Sequence, residues 1–210
     1  SSDVCSSDLA NESRREMEAV NVKLLKQSET DQMTGLANRY RLNDYSDKVL
    51  DYCYEHRLPL AMEILDIDFF KQYNDNYGHQ QGDECIIAIA NELKKMEDGQ
   101  TFCARYGGDE FIIIYAGISA EEVHAKAGAL RQNIMDLKLE HLYSKALPIV
   151  TISQGISYGV PEEGNRSWDF LHTADMLLYQ VKKKSRNDIC IADIRGQELD
   201  LSSKQEKVEP

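Results

Sequence analysis

The sequence lacks several features, and each absence excludes a class of protein. No apolar run approaches the roughly 18 residues that a membrane-spanning helix needs, and no basic stretch followed by an apolar core indicates a signal peptide. Basic residues are outnumbered, 24 against 36 acidic ones, so the net charge is −12. A chain this acidic has no broad basic face for duplex nucleic acid, and we expect no nucleic-acid partner. An anionic ligand remains compatible with this charge if metal ions or a few local cations neutralise it.

Cysteines are few, and their pattern excludes two kinds of site. The chain has an odd number of them with no CxxC spacing: Cys5, Cys53, Cys85, Cys103 and Cys190. We interpret them as reduced thiols rather than a disulfide frame or a zinc site. With no membrane segment in the chain, this pattern favours a cytoplasmic location, although a longer protein could be anchored in a membrane upstream.

The two ends of the chain differ from its middle. Residues 1–10 repeat "SSD" and have almost no core-forming content, so we expect a disordered or non-native leader. Residues 11–31 contain good helix formers, and three apolar residues form a heptad-like seam: Met17, Val20 and Leu24. This segment is either a solvated helix that packs on the domain or the end of a dimeric signalling helix. Residues 195–210 are polar and predict a flexible tail.

Between these ends, residues 32–194 form one predicted domain. Counted from the helix of residues 11–31, the element order α-α-β-α-α-β-β-α-β-α-β predicts α/β (α+β) architecture with a single mixed sheet covered by helices. Gly78, and a turn near Gln81-Gly82, would divide the segment after the first strand into helices. Ser119 and Glu122 form a predicted capping box, and Gly155 is a possible bulge. One face of the last helix is predicted to carry Trp168, Leu171, Ala174 and Leu178.

Acidic residues occur at two points that follow apolar strands. Asp66 and Asp68 end the strand of the 60s, and Asp109 begins the strand after a glycine turn. If the two strands are neighbours, Asp66 and Asp109 face each other across one ladder, and like charges this close repel unless a cation lies between them. Oxygen ligands with an anionic substrate point to Mg²⁺. The alternative is that these are ordinary turn acids.

The glycine turn itself has features that a simple hairpin does not need. Gly107 and Gly108 let the backbone approach a ligand closely. Asp109 and Glu110 are adjacent, so they face opposite ways in an extended strand. One of them is therefore expected to meet the metal directly.

Polar residues downstream suit a nucleotide. Lys71 can reach phosphate oxygens, while Asn74 and Asp83 suit a guanine edge, because a carboxylate accepts two N–H groups. Lys71 could equally be a solvated lysine, and His79 a local helix cap. The densest basic cluster is either a second phosphate grip or a helix end that complements the dipole: Lys182, Lys183, Lys184 and Arg186.

Four blocks stand in order over about residues 31–192: DQMTGLANR, DIDFFKQYNDNYGHQQGD, RYGGDEF and ADMLLYQVKKKSRN. Together they resemble one known family, the GGDEF domain of diguanylate cyclases. The departures from the usual pattern are Met33, Leu177, Val181 and Ser185. The resemblance implies a fold like the palm of nucleotidyl cyclases and polymerases, with an N-terminal signalling helix before the catalytic domain.

The resemblance also implies a reaction, in which two GTP condense to cyclic di-3′,5′-GMP with release of two pyrophosphates. It implies Mg²⁺, or Mn²⁺ as a substitute, held by Asp66, the Ile67 carbonyl, Asp109 and Glu110. Asp109 would accept the proton of the 3′-hydroxyl, and Lys71 would stabilise the transition state. The residues expected to bind GTP are Asn74, His79, Asp83, Gly107, Gly108, Lys182 and Arg186. The role of Asp68 stays open.

Partners follow from the same resemblance. Each domain binds one GTP, so a product with two identical linkages predicts a two-fold homodimer in bacterial second-messenger signalling, with a sensor domain upstream. The family's R-x-x-D product-inhibition site is missing here, because Asp98 stands at the Arg position and Thr101 at the Asp position. The alternatives are a non-catalytic GTP- or dinucleotide-binding module and a cyclase with another base preference.

Overall fold

The computed structural model of the chain describes residues 29–197 and residue 199. The predicted leader, the Met17/Val20/Leu24 seam and nearly all of the polar tail lie outside the described residues. In the part of the chain that is described, no helix is long and apolar enough to cross a membrane.

The described residues contain five full helices and five strands, in the order that the sequence predicts. The helices are α1 (Arg39–His56), α2 (Phe70–Tyr77), α3 (His79–Met96), α4 (Ala120–Asp136) and α5 (Ser167–Lys184). The strands are β1 (Leu60–Ile67), β2 (Thr101–Gly107), β3 (Glu110–Ala116), β4 (Ile152–Gly159) and β5 (Ile189–Asp193). They form one mixed sheet in the order β2-β3-β1-β4-β5, antiparallel except for the β4–β5 pair.

Local sequence signals set several helix ends. The Asn38 side chain accepts a hydrogen bond from the Arg41 backbone N–H at 3.1 Å and caps α1. The predicted capping box at the start of α4 is confirmed, with Ser119 and Glu122 bonded reciprocally. Gly78, at a φ of 86°, separates α2 from α3. The predicted turn near Gln81-Gly82 is wrong, because α3 runs unbroken through both residues.

Strand β1 is the centre of the sheet, and its two faces contact different helices. Ala61 and Leu65 face the larger core, which α3 and α4 cover. Met62 and Leu60 face the core beneath α1 and α5. Because side chains alternate along a strand, Glu63 lies on the α3/α4 face and Asp66 on the α1/α5 face. The sheet therefore presents two chemically distinct surfaces.

Two predictions about the α5 side are wrong. Gly155 is not at a bulge: it stands in regular register with Ile64 of β1, and a Cβ there would overlap the backbone of Ala174 and Leu178. Glycine at this position lets α5 approach the sheet closely. Trp168 is 59% exposed instead of facing the core. The buried stripe of α5 starts at Phe170 and continues through Thr173, Ala174, Leu177, Leu178 and Val181.

Candidate active site

The acids of the sequence blocks meet at one end of the sheet. Asp66, near the end of β1, is directly opposite Glu110 in the register with β3. Asp109 lies in the turn before β3, so the expectation that it begins the strand is wrong by one residue. The direct cross-strand neighbour of Asp66 is therefore Glu110, and Asp109 approaches from the turn.

The glycine hairpin between β2 and β3 has an irregular backbone, and an arginine side chain holds it in place. The β2–β3 register shifts between Arg105 and Gly107, and Gly108 has a φ of 52°, a conformation that glycine adopts without steric cost. The Arg105 guanidinium donates to the Gly108 carbonyl at 2.9 Å and to Asp31 at 3.2 Å. Asp31 also accepts from the Thr34 hydroxyl at 2.7 Å. The DQMTGLANR block thus supports the hairpin, a role that the sequence analysis missed although it had marked the block.

A lysine from α5 neutralises part of the acidic rim. Lys182 Nζ lies 2.7 Å from Asp66 Oδ2. Burial raises the pKa of Asp66 to about 6, with Lys182 opposing the rise and Asp109 and Glu110 adding to it. Burial also raises the pKa of Glu110, and the charge of Asp109 contributes. These couplings place the three carboxylates and Lys182 in one electrostatic unit.

The donor set at this rim fits Mg²⁺ only if the substrate completes it. Among residues 29–197 and 199, no three His, Cys, Asp or Glu side chains converge into a ready cation site. Mg²⁺ uses one or two carboxylates together with waters and substrate phosphates, and the Asp66/Glu110 pair supplies that number. The buried position of Asp66 among like charges gives a cation a physical reason to bind there.

A second group of polar side chains lies where α2 meets the start of α3. The Asn74 Oδ1 atom is buried and has no hydrogen-bond partner within the described structure. Gly82 lies against it, since a Cβ on Gly82 would overlap that oxygen. Asp83 follows Gly82 and is exposed. The orphaned Asn74 oxygen and the Asp83 carboxylate are both hydrogen-bond acceptors, which is the chemistry that a ligand with several N–H groups requires.

The other predicted site residues differ in their burial and in their contacts. Lys71 on α2 and His79 at the start of α3 are exposed, and within the described ranges no ion pair joins either to the rim acids. Ile67 is buried at the end of β1. Arg186, just after α5, lies over the Phe69 ring at 4.3 Å and pairs with Asp68 at 3.5 Å.

A cleft of about 230 Å³ continues from the acidic rim on the α1/α5 face. Its floor is Ile64, the half-buried residue of β1, and Glu110 lies at its edge. The walls are Tyr106, Ile112, Trp168, Leu171, His172 and Asp175. The exposed Trp168 thus borders the site instead of contributing to the core.

Comparison with known proteins decides the family. The family model described as "Diguanylate cyclase, GGDEF domain" matches residues 28–188. The chain belongs to the GGDEF domain family of diguanylate cyclases. Among curated relatives, it is 35% identical over 163 residues to the probable diguanylate cyclase DgcC of Escherichia coli strain K12, covering 76% of this chain and 42% of DgcC. It is 31% identical over 160 residues to the response regulator PleD of Caulobacter vibrioides, covering 76% and 35%.

Solved structures of GGDEF domains have the same fold. The coiled coil and GGDEF domain of DgcB from Caulobacter crescentus, solved with c-di-GMP, matches with a TM-score of 0.78 and 29% identity, over 89% of this chain and 96% of that one. Diguanylate cyclase SiaD of Pseudomonas aeruginosa, solved with its activator SiaC, matches with a TM-score of 0.71 and 26% identity, over 89% and 70%. The predicted fold and family are confirmed. The chain spans less than half the length of the curated relatives it matches.

Proposed function

We propose that this GGDEF domain condenses two GTP molecules into cyclic di-3′,5′-GMP and releases two pyrophosphates, with Mg²⁺ and as a homodimer. The observation that carries the proposal is the cross-strand pair of Asp66 and Glu110 at the rim of the sheet, with Lys182 bound to Asp66 and the charge of Asp109 acting from the adjacent turn. Membership of the family supplies the reaction class.

Different residues of the chain bind the guanine base and the phosphates of GTP. Asn74 and Asp83 hold the guanine edge, because the unpartnered Asn74 oxygen and the exposed carboxylate both accept N–H groups. Lys182 and Arg186 hold the triphosphate, with Lys71 and His79 reaching in from α2 and α3. The bend at Gly107 and Gly108 brings the backbone close to the nucleotide. Positioning of this kind supplies much of the rate in phosphoryl and nucleotidyl transfer.

The acids carry the proton and the metal. Asp109 accepts the proton of the attacking 3′-hydroxyl, while Asp66, the Ile67 carbonyl and Glu110 are the residues that would hold Mg²⁺. When bound, the metal lowers the pKa of that hydroxyl and neutralises charge on the phosphates. Lys182 Nζ, which lies 2.7 Å from Asp66 Oδ2, would leave that carboxylate for the substrate phosphates when a cation takes its place.

Two domains are needed because each supplies one nucleotide. The product has two identical linkages, so a two-fold arrangement presents both 3′-hydroxyls to both α-phosphates. A sensor domain upstream of this chain would set that arrangement. Specific activity is therefore expected to rise with protein concentration in the range where dimers form.

Feedback by product is expected to be absent at the position where many family members have R-x-x-D. Lys126 Nζ donates to Asp98 at 2.8 Å and to the Thr101 hydroxyl at 3.0 Å. This bond holds the pKa of Asp98 at about 2. Titration of the purified protein with cyclic di-GMP should leave initial rates nearly unchanged. Strong inhibition at sub-micromolar product would contradict this expectation.

One experiment tests the activity against its alternatives. The protein is incubated with Mg²⁺ and GTP, and separately with ATP, and the products are identified by mass spectrometry. Cyclic di-GMP from GTP alone supports the proposal, and Asp109→Ala should abolish turnover while the folded state persists. Nucleotide binding without product would indicate a binding module, and a cyclic product from ATP would indicate a different base preference.

A further inference from the structure

Asp68 is the acid of the DIDFFK block to which the proposed function gives no role. It follows the last residue of β1, and its side chain is fully buried, with 0% of its surface exposed. A carboxylate in this position does not reach solvent. The role of this carboxylate therefore has to be explained by what it contacts inside the protein.

Protein donors hold both oxygens of the Asp68 carboxylate. The hydroxyls of Ser153 and Thr151 donate to it at 2.7 and 2.8 Å, one to each oxygen. The Asn187 backbone N–H donates to Oδ2 at 3.0 Å, and Arg186 Nη1 forms an ion pair with Oδ1 at 3.5 Å. Three hydrogen bonds and one ion pair therefore use most of the roughly four lone-pair sites of the carboxylate. These contacts give the buried carboxylate a role inside the protein that needs no contact with substrate.

The segments that Asp68 joins have a disfavoured backbone. Phe69, Arg186 and Asn187 all have positive φ, at 56°, 53° and 45°. Residues with a Cβ rarely adopt this conformation and keep it only where the surroundings impose it. The two segments also touch directly, because the Arg186 guanidinium covers the Phe69 ring at 4.3 Å. A strained turn at each side of one buried carboxylate indicates a built arrangement rather than an incidental contact.

We propose that Asp68 is a positioning residue that fixes the Phe69 turn and the Arg186–Asn187 turn against each other, and so holds Arg186 ready for the triphosphate of GTP. The proposal rests on the proposed function, in which Arg186 binds phosphate. It assigns Asp68 no contact with the nucleotide, and the loss of its charge acts through Arg186.

Replacing the carboxylate by an amide should release this arrangement. Asp68→Asn removes the negative charge that faces Arg186 and turns one of the two oxygens into an NH₂ group. Because the Asn187 N–H binds Oδ2 and Arg186 lies near Oδ1, the NH₂ group faces a donor in either orientation of the amide. The hydroxyls of Thr151 and Ser153 can reverse their bonds, but a backbone N–H and a guanidinium cannot. Arg186 is then free to leave its position over Phe69.

The test compares ligands with and without the triphosphate. Binding of 3′-deoxy-GTP, which lacks the attacking hydroxyl, and of guanosine is measured by calorimetry with Mg²⁺ for the wild type and Asp68→Asn. Glu63→Gln is the matched control, because it also turns a fully buried carboxylate into an amide at a place away from the site. We expect Asp68→Asn to weaken 3′-deoxy-GTP about tenfold or more, as loss of an orienting partner does. Guanosine binding should change less than twofold, and the control should change neither.

A double-mutant cycle with Arg186→Ala tests whether Asp68 affects 3′-deoxy-GTP binding through Arg186. If Asp68 acts through Arg186, the double variant binds 3′-deoxy-GTP no more weakly than Arg186→Ala alone. Additive losses, or an equal loss for guanosine, would overturn the proposal. Should Asp68→Asn not fold, the near-isosteric Thr151→Val removes one donor and is expected to cost about threefold in 3′-deoxy-GTP affinity; an unchanged affinity would count against the proposal.

The outcomes separate this proposal from the one on which it rests. A wild type that binds neither ligand and forms no cyclic product contradicts the proposed function and, with it, the role of Asp68. A wild type that binds and turns over GTP, with an Asp68→Asn variant of equal affinity, contradicts the role of Asp68 alone.

Discussion

Two buried carboxylates of β1, three residues apart, are both desolvated but have different neighbours. Glu63 faces the α3/α4 core, where it accepts from Tyr115 Oη at 2.8 Å and Gln154 Nε2 at 2.7 Å. Burial raises its pKa to about 7. Asp66 faces the α1/α5 side at the rim, and burial raises its pKa to about 6 in spite of Lys182. Glu63 has only neutral donors, whereas charged groups surround Asp66.

The difference explains why one acid is structural and the other is a candidate ligand. The two donors to Glu63 are neutral and only partly offset the effect of burial on its pKa. No solvent reaches the carboxyl group, and its hydrogen-bond partners carry no charge that a ligand could displace. The environment of Asp66 changes if Lys182 moves or if a cation arrives. A raised pKa marks both positions, and the charged neighbours of Asp66 distinguish it from Glu63.

The largest effect on the rate of reaction is expected for a substitution of Asp66, at the acidic rim of the sheet. Asp66→Asn removes a carboxylate that would bind Mg²⁺, and we expect the rate of cyclic di-GMP formation to fall about 100-fold or more. The rate is measured by chromatography of the product at saturating GTP and Mg²⁺. Glu63→Gln, on the same strand, should keep most of the activity. A similar loss in both variants would show that the two faces of β1 do not differ in function.

The next effect is on stability and concerns Glu63. The folded protein holds the Glu63 proton up to about pH 7, whereas the unfolded chain loses it near the ordinary value of 4.5. Wild-type stability should therefore be highest, for this group, below pH 4.5 and fall as the pH rises to about 7. Glu63→Gln lacks this dependence. Between pH 4.5 and 8, the difference in unfolding free energy between variant and wild type should therefore shift by about 2–3 kcal/mol in favour of the variant.

Urea unfolding at several pH values measures this difference. Other titrating groups contribute equally to wild type and variant, so they cancel in the comparison. Parallel stability profiles for the two proteins would mean that Glu63 is ionised in the core, and would remove the contrast with Asp66.

A smaller effect is expected where α2 meets α3. In Gly82→Ala the new methyl group meets Asn74 Oδ1 and Phe70, so Asn74 has to move. We expect the KM for GTP to rise about tenfold with little change in kcat, because a displaced amide loses its contact with guanine. Gly128→Ala is the matched control, since it also lies in a helix and a Cβ there meets nothing within 4 Å. Equal KM values for the two variants would argue against Asn74 as a guanine ligand.

The smallest effect is expected at the surface. Lys126→Ala breaks the ion pair with Asp98, whose side chain is 48% exposed, so we expect a loss of less than about 1 kcal/mol in unfolding free energy. Thermal unfolding and initial rates measure both consequences, and rates should stay unchanged. A large fall in activity would assign this position a role in the reaction that its distance from the rim acids in the fold does not suggest.

Much of the fold could be predicted from local patterns. Asn38, Ser119 and Gly78 mark helix ends through short-range hydrogen bonds and backbone freedom, which act within a few residues. Gly155 and Trp168 were misread because their positions depend on how closely α5 approaches the sheet. That approach is a property of two distant segments.

The candidate site was predictable residue by residue but not as an arrangement. The blocks pointed to Asp66, Asp109 and Glu110, yet the hairpin register decided that Glu110, not Asp109, is opposite Asp66. The support of Arg105 by Asp31 spans distant parts of the chain, and so does the clamp on Asp68 by Thr151 and Asn187. Hydroxyl and amide side chains are too common for their spacing alone to predict such contacts.

The sequence by itself determined the family, the order of helices and strands and the identity of the acids, since these depend on residue type and short-range spacing. Only the tertiary structure decided which acid is buried among neutral donors and which is at a charged rim, and it alone gave Asp68 its partners. Desolvation and charge–charge interactions depend on distances through space. Those distances exist only once the sheet has brought remote segments together.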